Sequence, residues 1–89
     1  MSTCLGFVVQ LRDEEEYTPY KGFLKLHRSF SSALLHAQEL YKGYLETHEE
    51  AYEGPYEVLT PTKKQIQDAG SVVVFRSRDC CIWIDAIIE

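Results

Sequence analysis

Short blocks of apolar residues run along this chain, and their period changes several times. The stretch Cys4–Leu11 (CLGFVVQL) is apolar and β-branched, which predicts a strand buried on at least one face. Arg12–Glu16 (RDEEE) breaks it, because consecutive like charges repel and demand water, so a loop is predicted there. Pro19 and Gly22 then supply turn residues before Phe23–His27 (FLKLH). There the period is two: Phe23, Lys25 and His27 share one face, and Leu24 and Leu26 share the other. Two strands joined by an acidic and aromatic loop are expected. That loop is longer than a tight hairpin needs, which makes it a candidate binding element.

From Ser31 the period becomes helical. Leu34, Ala37, Tyr41, Tyr44, Leu45 and His48 recur as one apolar stripe, with Ser31 as the N-cap and Phe30 and Leu35 spaced as a hydrophobic staple. Gly43 weakens the interior by about 1 kcal/mol, and Gly54-Pro55 ends the pattern. A long helix over residues 32–52 is predicted. The stretch LTPTKKQIQDAGS predicts a short second helix, with Thr60 as N-cap, Pro61 at the first helical position and Gly70 as left-handed C-cap. Lys63 and Lys64 oppose its dipole, so packing of Ile66 and Ala69 has to hold it.

Val72–Phe75 and Cys81–Ile84 flank Arg76–Cys80 as a second hairpin. The order ββααββ predicts an α+β fold: a mainly antiparallel four-stranded sheet, one long helix on one face, and a short second helix. The run CCIWI carries no alternation, which implies that both faces of the last strand are partly covered. Trp83 and Cys81 share a parity and are expected on the inner face beneath the long helix, with Ile82 and Ile84 on the other. The short helix or a second copy in a homodimer is expected to cover that other face.

Composition narrows the class. Eighty-nine residues predict a single domain over 1–89, and 45% hydrophobic content is enough for a core. A net charge of −5 argues against non-specific binding to nucleic acid or anionic membranes. No apolar run approaches the ~18 residues of a membrane span, Met1–Leu11 lacks a basic start, and three cysteines do not make a disulfide framework. A cytoplasmic protein with no membrane association is expected.

Chemistry is sparse. Cys80 and Cys81 are adjacent, so in a strand they point to opposite faces and cannot chelate one ion. His27, His36 and His48 have no metal-binding spacing, and there is no C-x-x-C, H-E-x-x-H or phosphate-cradling glycine loop. No catalytic residue, no metal site and no cofactor are therefore expected. A cysteine-dependent enzyme built on Cys80, Asp85 and His27 comes last among the readings, and the expectation is that the chain is not an enzyme.

Charge says more. No lysine or arginine lies between Gly43 and Thr62, while Glu46, Glu49, Glu50 and Glu53 fall at spacings of three and four on one helix side. With Tyr52 and Tyr56 as rigid contact residues, they form a candidate face for a protein partner. A hairpin, a helix opened by Phe-Ser-Ser and a last strand with an aromatic resemble many small accessory proteins of phages and mobile elements. That resemblance implies action by binding, for instance as an anti-defence inhibitor or adaptor. The alternative is nucleic-acid binding through Lys25, Arg76 and Arg78, or an acidic helix that imitates a phosphate backbone.

Overall fold

The computed structural model describes residues 3–13, 25–47, 56–78 and 80–88. Its elements are β1 (Cys4–Asp13), β2 (Leu26–His27), α1 (Phe30–Thr47), β3 (Glu57–Val58), α2 (Lys63–Ala69), β4 (Ser71–Arg76) and β5 (Cys80–Ile88). They form an α+β fold with one antiparallel sheet in the order β2-β1-β5-β4-β3. The sheet has five strands rather than four, and the chain order is ββαβαββ. The added strand, β3, is only two residues long and has exposed side chains, so it carries no apolar signature.

The first strand continues through Arg12 and Asp13, against the loop expected from RDEEE, because those residues pair with Cys81 and Cys80 of β5. A paired central strand can hold a charge when that side chain reaches solvent, and Arg12 is exposed. The second strand is described only at Leu26 and His27; Phe23, Leu24 and the acidic loop before them lie outside the described residues.

Both helices differ from expectation at their caps. Ser29, not Ser31, starts α1: its hydroxyl accepts from the Ser32 backbone N–H at 3.2 Å. Phe30 does not staple to Leu35, which is exposed; it packs edge-on against Phe7 at 5.8 Å. Ala33 and Ala37 are fully buried, and Leu34, Leu40, Tyr41, Tyr44 and Leu45 pack around the core, so the expected stripe is present to Leu45. Helix beyond Thr47, including His48, lies outside the described residues. In α2 the N-cap is Thr62, which closes a reciprocal capping box with Gln65, and Pro61 precedes the helix. Gly70 has the predicted left-handed conformation, φ 82°. Ile66 is buried as expected, whereas Ala69 is exposed.

The last strand is the main correction. Cys80, Ile82 and Ile84 belong to the core with Phe7, Val9, Phe30, Ala33, Ala37, Ile66, Val74 and Phe75. Cys81, Trp83 and Asp85 are half-buried on the opposite face, so the expected parity is inverted. Register decides it: Ile84 faces Val9 and Val72, and Ile82 faces Leu11 and Phe75 across the neighbouring strands. A bulge between Val73 and Phe75 turns both Val74 and Phe75 inward, which no alternating pattern reveals. At the other end of the sheet Gly6 is required by a close approach. A Cβ there would lie 2.6 Å from the His27 carbonyl oxygen and 2.8 Å from Leu26 Cδ1.

Candidate functional site

The outer edge formed by β3 gathers the most accessible aromatic and aliphatic surface near the predicted binding face. Phe75 of β4 is fully buried and organises it. Tyr41 stacks on Phe75 at 5.5 Å, Tyr44 meets it edge-on at 6.0 Å, and Tyr56 lies against it at 5.8 Å. Tyr41 and Tyr44 are one turn apart on α1, so the helix delivers both to one ring. Tyr56 arrives from the chain entering β3 and remains 50% exposed, followed by exposed Glu57 and by Val58 at 44%. Glu46, two residues beyond Tyr44, is also exposed. Phe75 thus holds Tyr56 and the Tyr41 and Tyr44 side of α1 at the same margin of the sheet. Glu49, Glu50, Glu53 and Tyr52 lie outside the described residues.

The same margin continues into an open groove of about 730 Å³ beside α2. Leu59, Pro61, Val72 and Val73 supply its apolar floor, and Asp68 and Arg76 supply its charges. The groove exists because β3 follows β4 only over Phe75 and Arg76, with one further hydrogen bond from Leu59 N–H to the Val74 carbonyl at 2.8 Å, before the chain turns away into α2. No pattern of apolar residues announced this surface. Its one sequence signal is the aromatic Tyr56 two residues before a short β-branched position.

The predicted basic set is not brought together. Arg76 is on β4 and Lys25 adjoins β2, with β1 and β5 between, which separates the strands by roughly 14 Å. Nor does His27 join Arg76: it points to the helix side, where its ring meets His36. Arg78 is exposed beside the β4–β5 turn, which Ser77 closes through its backbone N–H to the Cys80 carbonyl at 2.8 Å and its hydroxyl to the Cys80 N–H at 3.1 Å. Instead Arg12 and Arg76 face Cys81 from the two neighbouring strands, with Trp83 one row along between Gln10 and Val73.

The thiols are equally dispersed. Cys4 pairs with Ile88 at the far end of β5 from Cys80 and Cys81. None of the three cysteines is in a disulfide. Burial pushes the Cys81 thiol up, and Arg76 and then Arg12 pull against it without reversing the direction. A thiol held above its ordinary value is a poor nucleophile at neutral pH. Asp85 accepts from the Trp83 indole N–H at 3.2 Å, which orients the ring along the sheet. Among the described residues no three His, Cys, Asp or Glu side chains group to hold a metal ion. No described helix is long and apolar enough to cross a membrane.

The chain matches no protein-family model, no curated protein and no solved structure.

Proposed function

We propose that this protein is a small, non-enzymatic interaction module that occupies a surface of a larger protein, as an inhibitor or adaptor of the kind carried by phages and mobile elements. The observation that supports it is the β3 margin: Tyr56 rests on Phe75 with half its surface exposed and leads into exposed Glu57 and Val58 at the edge of the described sheet. A half-exposed aromatic anchored on a buried ring is rigid, so it gives contact area with little loss of side-chain entropy on binding. Among the described residues β3 is an edge strand of the sheet, and a sheet edge offers backbone groups that an extended partner segment can use. The sequence adds an acidic set, Glu46, Glu49, Glu50 and Glu53 with Tyr52 and Tyr56, which favours a basic partner. The test is affinity capture with the wild-type chain, followed by the double variant Tyr56→Ala/Val58→Ser and by lysine at Glu46, Glu49, Glu50 and Glu53. Both variants are expected to remain folded and to lose at least tenfold in affinity for the captured protein. Unchanged affinity in both rejects the β3 margin and the acidic face together.

A second reading has its own observation. Arg12 and Arg76 flank β5 on the face that carries Trp83, an arrangement suited to phosphates beside a stacked base. A band shift with single-stranded probes at low salt that weakens as salt rises, and is lost in Arg12→Ala/Arg76→Ala, supports it. No complex at low salt removes it.

A further inference from the structure

Among the described residues His27 is the one polar side chain buried in the core, at 6% exposure. Both of its ring nitrogens are engaged by α1. Its Nδ1 lies 2.8 Å from Ser32 Oγ, and its Nε2 lies 2.8 Å from His36 Nδ1. Ser32 and His36 are four residues apart, so successive turns of α1 grip opposite edges of one imidazole. The strand they hold is β2, which among the described residues pairs with β1 at Phe7 and Val8. The imidazole contacts therefore tie β2 to α1, in addition to its pairing with β1.

Proton count decides whether those contacts exist. Between two ring nitrogens, one must carry the hydrogen and the other must accept it. A neutral pair satisfies this, and so does a singly charged pair. When both rings are charged every ring nitrogen is protonated, so N–H faces N–H and two cations are in contact. Among the described residues the resolved influences on His27 all act in one direction. Burial first, then the charge on His36, then that on Lys25 hold His27 below the usual imidazole value. From β1 the residue opposite is Phe7, from α1 come Ser32 and His36, and β2 itself is flanked by Lys25 and Arg28. Glu39, exposed three residues beyond His36, is the next carboxylate along that helix.

We propose that the Ser32–His27–His36 chain is an acid-operated latch, which holds β2 on β1 and α1 at neutral pH and releases it when both rings become charged. Release exposes the backbone edge of β1 at Phe7 and Val8, a site for pairing with another strand. The sign follows from the depressed value of His27. The released or unfolded state takes up the proton first, at the ordinary value near 6.5. The latch is therefore at full strength above about pH 6.5, weakens as pH falls through that value, and loses no more once pH is below the folded-state value.

Native-state amide exchange on the full chain, corrected for intrinsic pH dependence, tests it. Between pH 7 and pH 5, protection at Leu26, His27 and the facing Phe7 and Val8 is expected to fall, by no more than the roughly tenfold per pH unit that one linked proton produces. Protection at Ile82 and Ile84 is expected to hold over the same range. His36→Gln, which keeps a hydrogen-bonding group that does not titrate, is expected to lessen the pH dependence at β2, with the part due to burial of His27 remaining. Constant protection at β2 overturns the latch, as does a fall shared equally by Ile82 and Ile84, or an unchanged pH profile in folded His36→Gln. The wild-type profile decides the matter even where His36→Gln does not fold.

Discussion

Replacing Phe75 with alanine is expected to remove about 3–5 kcal/mol of folding stability, the range for deleting a buried phenylalanine ring. Phe75 has no exposed surface, faces Ile82 across the β4–β5 ladder, and is in ring contact with Tyr41, Tyr44 and Tyr56. Its loss leaves a cavity that the tyrosines cannot fill without leaving α1 and β3. A domain of this size has roughly 5–15 kcal/mol in total, and each kcal/mol lowers Tm by roughly 4–8 °C. The variant is therefore expected to sit near its unfolding threshold at 37 °C, whereas Phe75→Leu loses much less. Chemical denaturation measures both. A loss under about 1 kcal/mol for Phe75→Ala would show that the ring is not the centre of this edge. It would also remove the physical basis for a rigid Tyr56.

Aspartate at Ile84 is expected to abolish folding. Ile84 is fully buried between Val9 and Val72, and an unpaired carboxylate there costs several kcal/mol with no partner to offset it. One residue earlier the expectation reverses. Trp83 lies on the other face, half-buried, so Trp83→Phe is expected to cost less than about 1.5 kcal/mol plus the indole hydrogen bond to Asp85. Circular dichroism and denaturant melts of the two variants separate the faces of β5. A folded Ile84→Asp beside an unfolded Trp83→Phe would invert the sheet as described.

The contrast between these neighbouring positions shows where sequence reading stops. Cys80–Ile84 is apolar at every position, so its pattern is equally compatible with either face being inward. Parity groups Trp83 with Cys81 and Ile82 with Ile84, but it does not say which pair is inward. In the fold Trp83 lies between Gln10 and Val73, while the smaller isoleucines meet the helices' side. The candidate site divides the same way. Tyr56 and Glu46 were legible as surface chemistry because aromatic and acidic residues stand out locally, but the seat of Tyr56 depends on Phe75, and its inward turn depends on a bulge. The histidine latch left no trace at all. Nine residues separate His27 from His36, a distance that matches no motif and closes only because the chain reverses from β2 into α1.

What the sequence by itself determined is what rests on near neighbours along the chain. The α+β class, the helical stripe through Ala37 and Tyr41, the buried Ile66 and the Gly70 cap all follow from spacings of a few residues, because helix period, capping and backbone freedom are local properties. The tertiary structure decided the strand order β2-β1-β5-β4-β3, the inward face of β5, the recruitment of Glu57 and Val58 as an edge strand, and the meeting of His27 with His36. Each of these is set by register between strands distant in sequence, and a shift of one residue would exchange the faces while leaving every local preference unchanged.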